Sequence, residues 1–279
     1  MTFIVIFIAL LIERFFDWSH LRYWQWFNAF QAAVARRLGD KSSYLILVIT
    51  IISLVFVVLA VNVLFSNLLY GFAKLLFQLF ILLYCLGPQN LWADAFASAT
   101  SLSQGDEQIA AAKLKAAFDI SDTTYSLHRQ LLNAIFIESN RRVFAVVFWF
   151  VLLGPAGAVL YRTVAQSASR TRNKDVPMDV AKQARLIEAL LDWLPIRIFT
   201  FIFALGGHFV SVLSCWRKKA GTGLEGNDIL LTECGAAALG IDDQSKLPSD
   251  GSMERSAISL LDRVFVIVLV IIALVKLVV

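Results

Sequence analysis

Cysteine is scarce in this sequence of 279 residues. Its three cysteines, Cys85, Cys215 and Cys234, are odd in number, and no two of them lie close together in the chain. A disulfide framework or a zinc site requires paired cysteines, or cysteine and histidine at short spacings. The sequence therefore predicts neither, and it is typical of a protein from a reducing compartment.

Motifs that specify an enzyme class are also missing. The sequence contains no glycine-rich phosphate loop, no catalytic-triad spacing of serine, histidine and aspartate, and no paired-carboxylate motif. Its basic residues are mixed with acidic ones, which argues against a nucleic-acid surface. The residues alone therefore leave any catalytic group unknown, and they predict no metal site and no nucleic-acid partner.

Charged residues make up only 16% of the chain, whereas hydrophobic residues make up 58% and the mean hydropathy is +0.71. This composition is too apolar for an ordinary soluble domain and too charged for membrane spans alone. All acidic residues, and all basic residues except Lys74 and Lys276, fall within residues 13–43, 87–142, 162–197 and 217–263. We therefore expect a protein that is part membrane and part polar.

Two long apolar runs follow one another near the N-terminus. Residues 44–65 carry no charge, and residues 68–86 carry only Lys74. A run of roughly 20 apolar residues is what a helix needs to cross the hydrocarbon core, where all backbone polar groups must be satisfied internally. The two-residue connection predicts one long antiparallel transmembrane hairpin.

The basic residues on both sides of this hairpin indicate its orientation. Lysines and arginines cluster in residues 14–41 and 113–142, while the tip at Ser66 and Asn67 is uncharged. By the positive-inside rule, both flanks are cytoplasmic. The net charge of +4 predicts contact with anionic membrane lipid. Trp18, Trp24 and Trp26 are typical of an aromatic belt at the membrane interface.

Two further apolar runs are interrupted by glycine. Residues 143–161 are broken at Gly154-Pro155-Ala156-Gly157, and residues 198–216 are broken at Gly206-Gly207-His208. Each half spans only about half the hydrocarbon thickness at roughly 1.5 Å per residue. The runs are either kinked spans or re-entrant helical hairpins. Full spans would place the basic residues 162–197 outside, so the positive-inside rule favours re-entrant hairpins.

The polar stretches predict further helices. Asp106 can cap a helix that runs to Phe118, and a second helix beginning at Ser121 or Asp122 can continue into residues 143–153. The predicted fold class is therefore an all-α polytopic membrane protein with a cytoplasmic helical portion. Its predicted segments are an N-terminal membrane segment with an interfacial helix and the transmembrane hairpin (1–86), a cytoplasmic helical region (87–142), broken membrane helices with a basic connecting segment (143–216), a cytoplasmic loop region (217–263) and a C-terminal membrane helix (264–279).

Several charged and polar residues lie near the predicted membrane depth. Arginines at the ends of spans commonly mark the interface, and a lone histidine is commonly a packed side chain. Alternatively, the charged residues converge on one anion-binding pocket, where helix N-termini freed at the two breaks add N–H donors. The candidate ligand-binding residues of this pocket are Glu138, Arg141, Arg142, Tyr161, Arg162, Asp192, Arg197 and His208.

The string from Glu138 to Arg162, followed by Leu191-Asp192-Trp-Leu-Pro-Ile-Arg197, resembles the AmpE family of inner-membrane proteins. The resemblance also covers Leu10-Leu-Ile-Glu-Arg14 and the length of the chain. It implies a multi-pass inner-membrane protein that signals in β-lactamase induction and cell-wall recycling. The implied partner is a cytoplasmic anhydro-muropeptide amidase, and a second copy of the chain is another candidate partner.

AmpE-like proteins are themselves similar to the CobD/CbiB family of ATP-dependent enzymes of cobalamin synthesis. The shared elements here are Glu138-Ser139, Gly154-Pro-Ala-Gly157, Tyr161-Arg162 and Pro195-Ile-Arg197. The chain departs from the enzyme pattern at residues 140–143 and 163–167. The resemblance therefore leaves open either no cofactor or ATP with Mg, and it favours a protein without enzyme activity. A muropeptide transporter is a further alternative, suggested by the broken helices.

Overall fold

All regular structure in the described part of the chain is helical. The computed structural model describes residues 2–15, 24–38, 43–65, 71–86, 91–104, 108–109, 111–113, 126–169, 178–241, 248 and 251–278. This confirms the predicted all-α class. The helices are α1 (Thr2–Phe15), α2 (Gln25–Leu38), α3 (Ser43–Leu64), α4 (Phe72–Cys85), α5 (Leu91–Ser103), α6 (Leu127–Ser139), α7 (Ala145–Leu153), α8 (Pro155–Ala168), α9 (Met178–Gly206), α10 (Phe209–Lys219), α11 (Asn227–Ala238) and α12 (Ser252–Val278).

Within the described residues, three helical segments are long and apolar enough to cross a membrane. They are α3, α9 and residues Ser252–Val275 of α12. The first arm of the predicted hairpin is α3. The second arm is the shorter apolar helix α4, and residues 66–70 lie outside the described part of the chain. Helix α12 begins at Ser252, twelve residues before the predicted Val264. The reason is that Ala257, Leu260 and Leu261 are buried at helical spacing.

The chain forms two compact units. Unit 1 comprises Met1–Pro88 and Val143–Asp192, and unit 2 comprises Gln89–Arg142 and Trp193–Val279. The chain passes between the units at three points. The first follows Pro88, the second follows Arg142 inside a π-helical turn, and the third follows Asp192 inside α9.

Helix α8 lies at the centre of unit 1. It packs against α3, α4 and α7, and 13 of its 14 residues are buried. Helices α3 and α4 are antiparallel neighbours, because Gln78 Nε2 donates to Asn62 Oδ1 at 3.3 Å and the rings of Phe65 and Phe77 are 5.7 Å apart. One apolar core of this unit contains Ile46, Leu47, Ile51, Val164, Ala168, Val180 and Ala184.

The first predicted break reverses the chain. Gly154 has a φ of +68° and a ψ of −154°, a conformation that is accessible almost only to glycine. Pro155 then begins α8 at the first helical position, where its missing N–H costs no hydrogen bond. Helices α7 and α8 pack against each other, so the break produces a helical hairpin.

The second predicted break also reverses the chain. Helix α9 ends at Gly206, and His208 is the N-terminal cap position of α10. Helix α10 then returns along α9, since Trp216 Nε1 donates to the carbonyl oxygen of Arg197 at 3.0 Å and its ring contacts Phe201. Both breaks therefore reverse the chain. Whether the resulting hairpins are re-entrant stays a prediction, because α9 is by itself long and apolar enough to cross a membrane.

Unit 2 is built around α6, which packs against α5, α11 and α12. Helices α10 and α11 form a second pair in this unit. Its core contains aromatic contacts between Phe136 and Phe203 (5.5 Å between ring centroids) and between Phe199 and Phe203 (4.8 Å). Close packing also involves Gly235, where an added Cβ would lie 2.6 Å from ring atoms of Phe136.

The predicted continuation of a polar helix into an apolar run is confirmed. Helical backbone continues from Leu127 to Leu153 through a π-helical turn at Asn140–Phe144. The N-terminal cap of α6 is Ser126, whose hydroxyl accepts from the backbone N–H of Arg129 at 3.4 Å. The predicted starts at Ser121 and Asp122, and most of the predicted helix from Asp106 to Phe118, lie outside the described residues.

Candidate anion-binding site

Three of the predicted site residues are buried in unit 1. Tyr161 and Arg162 lie in α8, and Asp192 lies in the part of α9 that belongs to this unit. The Tyr161 hydroxyl donates to Asp192 Oδ1 at 2.8 Å. The side chain of Arg162 is only 1% exposed. A buried guanidinium in an apolar bundle is costly, so such a group is by default a candidate functional residue.

Trp24 is the aromatic neighbour of this arginine. The Arg162 guanidinium carbon lies 6.0 Å from the centroid of the indole ring, within the range of a cation–π contact. Trp24 is 5% exposed, and its Nε1 donor has no acceptor among the described residues. This ring is packed among Trp26, Phe27 and Tyr84, and its predicted position at the membrane interface stays a prediction.

Amide side chains extend this polar region along α8. Gln166, one turn after Arg162, donates from Nε2 to Asn28 Oδ1 at 3.3 Å, and Gln31 Nε2 donates to Ser167 Oγ at 3.0 Å. The Gln166 Oε1 acceptor is buried and has no donor within the described residues. We call Trp24, Asn28, Gln31, Arg162, Gln166 and Ser167 the α8 polar cluster.

In unit 2, Arg142 is held by two carboxylates. Its Nε lies 2.6 Å from Glu138 Oε2, and its Nη1 lies 3.2 Å from Asp94 Oδ2. The Arg142 side chain is 1% exposed, whereas that of Asp94 is 25% exposed. The guanidinium charge of Arg142 is therefore balanced by carboxylates inside the unit.

Arg141 and Arg197 both contact the first turn of α11. Arg141 Nη2 lies 3.4 Å from Asp228 Oδ2 at a partly exposed position. Arg197 donates to Asn227 Oδ1 at 3.1 Å and to the carbonyl oxygens of Trp193, Ala220 and Thr222 at 2.5 to 2.8 Å. Arg197 thus fastens the loop between α10 and α11 to α9.

His208 lies at an exposed position and begins α10. Its backbone N–H donates to the carbonyl oxygen of Ala238 at 3.0 Å, and its ring lies beside Gly240. The eight predicted residues are divided between the two units, so their convergence on one pocket stays a prediction.

A family model described as "Regulatory signalling modulator protein AmpE" matches residues 1–278. The chain belongs to the AmpE family. The resemblance stated above is thereby confirmed, and the protein is a member of a family of regulatory signalling modulators. Its apolar helices and this membership together indicate a membrane protein.

This AmpE-family chain is also similar to cobalamin biosynthesis proteins. It is 28% identical over 167 residues to the cobalamin biosynthesis protein CobD of Chromobacterium violaceum, which covers 58% of this chain and 53% of that protein. It is 29% identical over 168 residues to the CobD of Stutzerimonas stutzeri, with 58% and 55% covered. The chain spans about half the length of these curated relatives. No solved structure matches it.

Sequence reasoning missed the amides of the α8 polar cluster. Asn28 and Gln31 lie in α2, which was not assigned to a site, and they meet α8 across more than 130 positions of sequence. The only local signal in the sequence is that Asn28 and Gln31 are three positions apart, which places both amides on the same face of a helix. Among the described residues of this AmpE-family chain, no group of three histidine, cysteine, aspartate or glutamate side chains could hold a metal ion.

Replacing Arg197 with lysine is expected to loosen the α10–α11 loop. Lysine keeps the charge but lacks the planar fork that donates to several carbonyl oxygens at once, so we expect the free energy of unfolding to fall by about 2 kcal/mol. Trypsin cleavage after Lys218 and Lys219, followed by mass spectrometry, should become faster. The matched control is Arg217→Lys at an exposed position. Equal cleavage rates in the two variants would contradict the role of Arg197.

Proposed function

We propose that this AmpE-family protein is a multi-pass inner-membrane protein that relays a signal in β-lactamase induction and cell-wall recycling. It does so by binding an anionic ligand at the α8 polar cluster. The supporting observation is the buried Trp24 N–H, which has no acceptor among the described residues and belongs to the ring beside the buried Arg162 guanidinium. A buried donor beside a buried cation suits a ligand that accepts hydrogen bonds and carries negative charge.

The chemistry of the cluster favours a carboxylate or phosphate. The guanidinium of Arg162 is planar and can donate two parallel hydrogen bonds to such a group, and these charge-assisted bonds are the stronger class. Gln166 adds an amide oxygen that can accept from a ligand hydroxyl or amide. A muropeptide-like molecule offers all of these groups. A cytoplasmic anhydro-muropeptide amidase is the proposed partner in the relay.

Arg162→Gln is expected to weaken ligand binding. Loss of a charge-assisted hydrogen bond removes about 1.5–3 kcal/mol, which corresponds to roughly 10- to 100-fold in the dissociation constant. The measurement is calorimetric titration of the detergent-solubilised full chain with a 1,6-anhydro-muropeptide, with ATP and with inorganic phosphate as separate probes. β-Lactamase induction should fall in a strain that carries this variant alone.

The control for this experiment is Arg185→Gln, which removes an arginine from an exposed position in the same unit. It should bind and induce like the wild type. Arg162→Lys should bind with intermediate affinity, since it keeps the charge and loses the fork. Wild-type affinity and wild-type induction in Arg162→Gln would rule out the proposed site.

A second candidate function is an ATP-dependent synthase of the cobalamin type. It is favoured by the similarity to the two CobD proteins over more than half of this chain. The departure at residues 140–143 lies in the π-helical turn, where Arg142 is engaged by Glu138 and Asp94. We therefore expect no corrinoid-stimulated ATP turnover by the purified protein. Turnover that saturates with a corrinoid acid would favour the synthase instead.

A further inference from the structure

Two thiols in unit 2 lie against each other. Cys215 is in α10 and Cys234 is in α11, and their sulfur atoms are 3.2 Å apart. A disulfide requires an S–S distance of about 2 Å, so the sulfurs would need to approach by only about 1 Å. We propose that Cys215 and Cys234 form a reversible intramolecular disulfide in response to a hydroperoxide. This inference is independent of the anion-binding proposal.

The surroundings of the two sulfurs assign them different roles. Cys215 is partly exposed, whereas Cys234 is fully buried. The Cys234 S–H donates to the Cys215 sulfur, and this hydrogen bond together with burial raises the pKa of the Cys234 thiol. Cys215 is therefore the sulfur that a small oxidant reaches, and Cys234 is the resolving thiol.

The chemistry requires one hydroperoxide molecule for each disulfide. The Cys215 sulfur attacks the peroxide, the O–O bond breaks, and Cys215 becomes a sulfenic acid while the peroxide leaves as water or an alcohol. The Cys234 sulfur then attacks the sulfenic sulfur, the S–S bond forms, the S–O bond breaks and water leaves. The two sulfurs together lose two electrons, which reduce the peroxide. A dithiol reverses the reaction by thiol–disulfide exchange.

Neighbouring contacts hold the two helices in register for this reaction. On one side of the pair, His208 N–H donates to the carbonyl oxygen of Ala238. On the other side, Lys219 forms an ion pair with Glu233, and Arg197 fastens the connecting loop. The disulfide would therefore join two helices that are already aligned, and it would lock the α10–α11 pair.

The test uses the detergent-solubilised full chain exposed to hydrogen peroxide and then quenched. Maleimide counting after denaturation should show three thiols falling to one, which is Cys85, and dithiothreitol should restore all three. Trypsin cleaves at Arg217, Lys218 and Lys219, between the two cysteines. A non-reducing peptide map should therefore contain one linked pair of peptides, lighter than their sum by two hydrogens.

Variants separate the two roles. Cys234→Ser should accumulate a sulfenic acid at Cys215 that reacts with dimedone, whereas Cys215→Ser should remain unlabelled because Cys234 is buried. Cys85→Ser should form the linked peptides like the wild type. Retention of all three thiols, a linkage only between two chains, or a sulfinic acid at Cys215 without the linked peptides would overturn the proposal. The wild-type peptide map decides this even if a variant fails to fold.

Discussion

Replacing Gly157 with alanine is expected to destabilise unit 1 by about 3 kcal/mol. A Cβ at this position would lie 2.2 Å from the carbonyl oxygen of Trp149 and 2.8 Å from Leu153 Cβ. The first of these is a backbone atom, so the α7–α8 hairpin must open before the methyl group fits. The midpoint of thermal unfolding in detergent should fall by roughly 10 °C.

The matched control is Gly221→Ala, because a Cβ at Gly221 meets nothing within 4 Å. That substitution should change the free energy of unfolding by less than about 0.5 kcal/mol. If the two alanine variants unfolded at the same temperature, the close approach of α7 and α8 at Gly157 would not exist in the protein.

Replacing Glu138 with leucine is expected to cost about 3–5 kcal/mol of unfolding free energy in unit 2. The change removes a carboxylate 2.6 Å from the Arg142 guanidinium, and it leaves a buried cation with less compensating charge. The measurement is equilibrium unfolding in mixed micelles. Asp179→Asn, at an exposed pair with Lys182, is the control and should stay within about 0.5 kcal/mol of the wild type.

A double-mutant cycle separates the ion pair from its packing. The double variant Glu138→Leu, Arg142→Leu should be more stable than Glu138→Leu alone, because it no longer buries an unbalanced charge. Asp94 is partly exposed and can be solvated by water in this variant. Additive effects of the two substitutions would show that Glu138 and Arg142 do not interact.

The helical class and the positions of the two helix breaks were predictable from the sequence. Apolar runs of about 20 residues have few structural alternatives, and Gly154-Pro155 and Gly206-Gly207 are strong local breaks. The hydrophobic pattern of the sequence does not predict the structure where packing against other helices determines it. Residues 252–263 look polar and loop-like, yet they form the first turns of α12 because one face is buried in unit 2.

The distant partners of the arginines were not predictable, because they lie far away in sequence. Arg142 meets Asp94 from a position 48 residues earlier, and Arg197 meets the loop carbonyls from 23 to 25 residues away. The contact between Cys215 and Cys234 is similar. Their separation of 19 residues matches no cysteine motif, and the two sulfur atoms come into contact only because α10 and α11 pack against each other.

The enclosure of α8 by other helices has a consequence for biogenesis. Its arginine, glutamine, serine and threonine make α8 a poor candidate for entering lipid independently, since charged side chains oppose partitioning into hydrocarbon. Helices α3 and α4, which cover it, leave the ribosome first. We therefore expect α3 and α4 to be inserted into the bilayer first and α8 to be inserted by packing against them. A chain truncated before α8 should still insert α3 and α4 into the bilayer.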